Sequence, residues 1–220
     1  MSTQTLATIT VPSTPLITAA LALARDHLAT WSYNHIMRSW LLGFAIADKL
    51  PDLTSRDREL HSLAAILHDL GWDEKNAFIS PDKRFEVDGA NAARAFIAKE
   101  AEWDQRRLQV LWDAIALHTT PSIGLYKEPE VKATNLGIVA ELLGPEVVPG
   151  GVLTQAEYDA VVEAYPRDGL KDGIIEKMCG FCRDKPATTY DNFVGDFGEA
   201  LVEGYSRTPN RFFDAFMAKK

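Results

Sequence analysis

Helix-start and helix-stop signals follow one another along almost the whole chain, and no alternating apolar–polar segment between them is long enough to demand a sheet. Thr14-Pro15 opens the series: Thr caps free amide groups, and Pro is preset for the first helical position. That helix is expected to run to about Thr30. The next spans roughly Ser32 to Leu50, with Ile36, Trp40, Phe44 and Ala47 on one apolar stripe, and Pro51 stops it. A third starts near Thr54-Ser55-Arg56-Asp57. It carries Leu60, Leu63, Ala64 and Leu67 at spacings of three and four, the period of one helix face, and ends at Gly71. Residues 72–84 hold polar side chains and a Pro with little period, which reads as a loop long enough to be functional. Further helices are expected near 86–99, 103–118, 129–143, 154–164, 169–182 and 191–204, and a short last one after Thr208-Pro209. Thr154-Gln155-Ala156-Glu157 has the form of a capping box. The pattern predicts an all-α bundle.

At 220 residues the chain is long enough for one sizeable core and short for two, so a single domain over 1–220 is expected. Within it the chemistry concentrates at about 30–145, and 150–220 reads as a helical flank of the same core. No run of 18 apolar residues exists, which argues against a membrane span. A formal charge of −8 argues against a nucleic-acid backbone as partner. Two cysteines make no disulfide framework, and with the rest they point to a soluble cytoplasmic protein. Cys179 and Cys182 have C-x-x-C spacing but no preceding strand and no second ligand pair, so buried thiols on one helix turn are expected. Phe212, Phe213 and Phe216 read as core or subunit-contact residues, which leaves a homo-oligomer open.

The chemistry centres on His68-Asp69, at the end of the apolar helix Leu63-Ala64-Ala65-Ile66-Leu67. An imidazole and a carboxylate side by side suit a borderline or hard divalent ion. His35 lies one helix earlier in Tyr33-Asn34-His35-Ile36-Met37-Arg38-Ser39, and helices in a bundle can each present one ligand to the same point. This set resembles the HD-domain metal hydrolases. Asn34-His35, Leu67-His68-Asp69, Glu74-Lys75-Asn76, Phe85-Glu86 before Gly89, His118 and Arg183-Asp184-Lys185-Pro186 resemble, more narrowly, the cyanamide hydratase family.

The resemblance implies an all-α HD-domain bundle with His35, His68, Asp69 and a later carboxylate as metal ligands. Glu141 stands where the superfamily has Asp, so its longer arm would bring the fourth ligand. The implied ion is a single zinc; Fe2+ or Mn2+ suit the same donors. Asp88 occupies a position where dinuclear members carry His, which favours one ion over two. The implied activity is hydration of a small nitrile-like substrate, cyanamide to urea. In it the metal lowers the pKa of a bound water towards about 7 and the resulting hydroxide attacks carbon.

Asp69 and Lys75 join His118 as the expected catalytic set. Asn34, Arg38, Lys75, Asn76 and His118 are candidate substrate contacts, with Lys83 and Arg84 weaker ones. His118 has three readings: substrate or acid–base residue, replacement ligand, or packed histidine at a helix end. His27 and His61 read as surface or boundary residues, His61 being two turns back from His68. A competing function is phosphohydrolysis of a nucleotide or small phosphate ester, for which Arg38, Lys75 and Arg84 would supply cations. A third is a non-catalytic, metal-stabilised or ligand-sensing domain.

Overall fold

A computed structural model describes residues 2–219. The described residues fall into two compact units, one running through Ile79 and from Phe85 to Asp168, the other made of Ser80–Arg84 with the chain from Gly169 onward.

The first unit begins with a hairpin that the sequence reading passed over: β1 (Thr3–Leu6) pairs antiparallel with β2 (Ile9–Pro12), Leu6 opposite Ile9. Its two-residue turn puts Ala7 and Thr8 at positive φ, the backbone of a tight hairpin turn, without the Asn or Gly that usually announces one. Every regular element after it among the described residues is helical. The helices are α1 (Pro15–His27), α2 (Thr30–Ala47), α3 (Arg58–Leu67), α4 (Phe85–Glu100), α5 (Gln105–Ala116), a single turn α6 (Pro121–Gly124), α7 (Pro129–Leu143) and α8 (Gln155–Ala164). The all-α expectation holds, with this small hairpin as the exception.

Local signals account for the helix boundaries. The Thr14 hydroxyl accepts from the amide of Ile17, and the Thr154/Glu157 capping box is formed. Helix α3 starts later than Thr54, because Pro51–Leu53 forms its own short turn and the Asp57 carboxylate caps Glu59 and Leu60.

Helix α2 is the centre of the unit. The expected stripe of Ile36, Trp40, Phe44 and Ala47 is buried, and so are Met37, Leu41, Leu42 and Ile46 on its other faces. A helix apolar all round must be surrounded, and α2 packs on α7, α3 and α8. Two glycines permit the closest approach: a Cβ on Gly137 of α7 would lie 2.4 Å from the Ser39 carbonyl and 2.7 Å from Gly43 Cα. Helix α4 packs on α5 and on the turn Leu70–Trp72 that follows α3. There a Cβ on Gly71 would stand 2.0 Å from the Phe85 carbonyl oxygen, so only glycine lets α4 begin against the end of α3. The result brings the ends of α3 and α5 and the first turns of α2 and α4 to one place.

The second unit contains α9 (Leu170–Asp184), α10 (Val194–Leu201) and α11 (Phe212–Met217). Helices α9 and α10 pack together over Met178, Phe181 and Val194. Both cysteines of α9 are buried free thiols, and Cys182 donates to the Val194 carbonyl at 3.3 Å. Phe212, Phe213 and Phe216 are exposed, so they are not core residues. No helix among the described residues is long and apolar enough to cross a membrane.

Candidate metal centre

Three helices and the loop beyond one of them deliver four side chains to the same buried point. His35 comes from the second turn of α2. His68 is the residue that ends α3, Asp69 follows it, and His118 lies just past α5. All four are almost wholly buried.

Each imidazole is oriented by an acceptor at Nδ1. His68 Nδ1 lies 2.9 Å from the Ala65 carbonyl and His118 Nδ1 2.7 Å from the Ile115 carbonyl. His35 Nδ1 lies 2.7 Å from Glu141 Oε2. A carbonyl or carboxylate can only accept, so each Nδ1 carries the proton and each neutral ring has a bare Nε2. The bare atoms converge. His35 and His68 Nε2 are 3.2 Å apart, and they lie 3.4 and 3.1 Å from Asp69 Oδ2. His118 Nε2 is 3.5 Å from Asp69 Oδ1. Neither Asp69 oxygen receives a well-directed hydrogen bond.

An assembly of acceptors without donors, sealed from water, calls for a cation. His35, His68 and Asp69 could hold a metal ion, their ligand atoms lying within 4.8 Å of one another. Their measured separations of 3.1–3.4 Å match the edges of a coordination shell with bonds of about 2.0–2.1 Å. The donor set therefore fits a divalent ion.

Without an ion, the buried groups act on one another's charge. Burial by itself would raise the Asp69 carboxyl, but His68, His35 and His118 outweigh it and hold it below the usual range. Burial pulls the His68 imidazole down, while the charge and hydrogen bonding of Asp69 reverse this and leave it raised. His118 goes the other way: burial, then the neighbouring His68, push it down to about 4, so it is neutral at pH 7.

A family model described as HD domain matches residues 32–143, just over half of the chain, and that span runs from α2 to the end of α7. The chain belongs to the HD-domain family. Members of this family bind divalent metals and are typically metal-dependent hydrolases. Comparison with curated proteins gives no match.

Several expected residues of this HD domain take other places. Glu141, the expected fourth ligand, lies against the opposite edge of the His35 ring, its oxygens engaged by His35 Nδ1 and by Arg38 Nε at 2.7 Å. Burial would raise its carboxyl, but His35 and Arg38 hold it down at about 2. Arg38, expected at the substrate, is fully buried and binds Glu141 and the carbonyls of Tyr165 and Pro166. Asn34 donates to the same Pro166 carbonyl at 3.1 Å. The Lys75 ammonium is half exposed and pairs with Asp26 at 2.7 Å, and Asn76 forms an exposed left-handed turn. Lys83 and Arg84 belong to the second unit.

Sequence reading missed the walls of the site. Trp72 stacks on His35 with ring centres 5.9 Å apart and touches Trp31 and Phe85; Phe85 in turn meets His118 edge-on at 5.7 Å. Asp73 is also buried, accepting from the amides of Lys75, Ala77 and Phe78, with His27 Nδ1 at 2.8 Å. This hub fixes the loop after the His-Asp pair. A three-residue spacing between Asp73 and Asn76 in a polar stretch was its only mark in the sequence.

Proposed function

We propose that this HD domain hydrates a small, neutral, nitrile-like substrate, with cyanamide to urea as the first reaction to try. One divalent ion, zinc by resemblance, would be held by His35, His68 and Asp69. The observation that carries the reading is the composition of the site. Bare imidazole nitrogens and one carboxylate face a wall of Trp72 and Phe85. Of the three cations expected there, Arg38 and Lys75 are engaged by Glu141 and Asp26, and Arg84 belongs to the second unit. A phosphate ester wants cations around its oxygens, whereas a neutral linear substrate needs apolar walls and an electrophile's partner.

A divalent ion bound here would lower the pKa of a water towards neutrality and so supply hydroxide. The chain's own residues do the rest. Asp69 and the two histidines would hold that ion beside the aromatic wall. As the hydroxide oxygen bonds to the nitrile carbon, one carbon–nitrogen π pair moves onto nitrogen. His118, neutral with its lone pair at Nε2, takes the proton that the water loses on becoming hydroxide and returns it to that nitrogen, giving the isourea. A proton shift from the isourea oxygen to its imine nitrogen gives urea, so the sum is one water added and no other co-reactant is required. Trp72 and Phe85 exclude further water and so protect the product nitrogen from competing proton traffic.

The test is urea formation from cyanamide by protein loaded with zinc, iron or manganese, run beside phosphate release from nucleotides and p-nitrophenyl phosphate. Urea formation that requires the metal and His68 is the expected result. Phosphate release without urea would replace the reading by a phosphohydrolase, and silence in both assays with tight metal binding would leave a non-catalytic domain.

A further inference from the structure

The three histidines of the site are oriented in two different ways, and the difference follows from where each lies on its helix. The last four carbonyls of a helix have no intrahelical partner. His68 and His118 stand at the ends of α3 and α5, and each turns Nδ1 to a carbonyl three residues back, Ala65 and Ile115. His35 lies inside α2, where the carbonyls are spent on the helix itself. It needs an acceptor from elsewhere, and Glu141 of α7 supplies it. Glu141 is in turn held by Arg38, one turn along α2 from His35. Arg38 also donates through Nη1 to the carbonyls of Tyr165 at 2.9 Å and Pro166 at 2.8 Å, while its Nη2 is buried without a partner. Arg167 closes the arrangement by donating to the Glu141 carbonyl at 2.8 Å.

We propose that Glu141 and Arg38 are positioning residues: a buried relay, anchored on the Tyr165 and Pro166 carbonyls, that fixes the tautomer and ring rotation of His35 and thereby sets the metal affinity of the site. The proposal rests on the reading of His35 as a metal ligand. A buried ion pair contributes little net stability against an apolar pair of equal volume, so its place beside a ligand histidine points to orientation. Trp72 holds the plane of the ring by stacking on it, and Glu141 holds its rotation within that plane. With Nδ1 committed to Glu141, Nε2 is bare and aimed at Asp69. Orienting partners of metal-binding histidines typically change affinity by about 10- to 100-fold.

Glu141→Gln separates this relay from direct coordination. The side-chain amide has one acceptor end and one donor end. Arg38 Nε demands the acceptor, so the amide NH2 would face His35 Nδ1. His35 must then shed its Nδ1 proton and carry it on Nε2, the atom that should bind metal. Adding Arg38→Met frees the amide to turn its oxygen back to His35.

The experiment is 15N-resolved histidine NMR together with zinc affinity from chelator competition. The parent is expected to show the Nδ1–H form of His35 both metal-free and zinc-loaded. Glu141→Gln should show the Nε2–H form and bind zinc about 10- to 100-fold more weakly. The Arg38→Met/Glu141→Gln double variant should regain the Nδ1–H form and part of the affinity. Three results would overturn the relay: an Nε2–H His35 in the parent, loss of the Nδ1 proton on zinc loading, or a double variant no better than Glu141→Gln. Should the double variant not fold, the parent and Glu141→Gln spectra decide. Failure of the underlying reading is seen separately, as zinc retained by His68→Ala or tight zinc binding absent from the parent.

Discussion

The Asp69 carboxylate divides its two oxygens between the histidines: Oδ2 faces His35 and His68 at 3.4 and 3.1 Å, and Oδ1 faces His118 at 3.5 Å. His118 thus lies beside the group of His35, His68 and Asp69 that could hold a metal among the described residues. That placement suits a residue that handles a proton beside the ion.

His118→Gln is therefore expected to keep its metal and lose turnover, by roughly 10²- to 10⁴-fold, the range for removal of a general base. KM should change little if, as proposed, Trp72 and Phe85 form the walls that hold the substrate. The checks are metal stoichiometry and steady-state kinetics on the same preparation. A His118 variant that emerges metal-free would make His118 a ligand instead.

His35→Ala, His68→Ala and Asp69→Ala each remove one of the three ligand atoms that cluster among the described residues. Each is expected to abolish activity and to lower bound metal sharply. Elemental analysis of dialysed protein measures it. Near-parent metal content and turnover in any of the three would rule out this centre.

Lys75→Ala is expected to leave metal content and turnover at parent values. The ammonium is half exposed and its partner is Asp26 on the surface, an arrangement that contributes little. The loop conformation does not depend on it, because Asp73 holds the amides of Lys75, Ala77 and Phe78 through backbone contacts. A fall in kcat/KM with metal intact would return Lys75 to the substrate.

These residues also show what a sequence can carry. The spacing of Leu60, Leu63, Ala64 and Leu67 fixed a helix and its end, and that end delivers His68-Asp69, so both were legible. The step from α2 to the site was legible through His35 for the same reason. Glu141 and Arg38 were found as residues but given the wrong neighbours. Their roles depend on how closely α2 and α7 approach, which is decided by Gly43 and Gly137 and by a chain segment 127 residues beyond Arg38. Lys75 was misplaced because nothing local reveals that Asp73 folds its loop back onto α1. The hairpin was missed because its turn lacks Gly or Asn. The two-unit organisation depends on contacts that no local pattern encodes.

His61 gives a prediction about stability that is independent of the metal. It is fully buried, stacks on Phe44 with ring centres 4.6 Å apart, and accepts from Arg56 Nε at 2.9 Å through Nδ1. Burial, reinforced by Arg56 and Arg58, pushes its pKa well below the ordinary value of 6.5. The folded state therefore holds it neutral where the unfolded chain takes up a proton. Its contribution is complete above about pH 6.5 and is lost as pH falls from there toward the folded pKa, by up to about 1.4 kcal/mol per pH unit. In metal-free protein His118, lowered to about 4, acts in the same sense, while the raised His68 acts in the opposite one. The parent's slope alone is thus a mixture, and the difference from His61→Gln isolates the residue, since the Gln amide oxygen can still accept from Arg56. Urea midpoints at pH 7.5, 6.5 and 5.5 in chelator-treated protein should show the parent losing stability faster than the variant below pH 6.5. Parallel curves would mean that His61 takes a proton as readily folded as unfolded, and the buried neutral imidazole would be excluded.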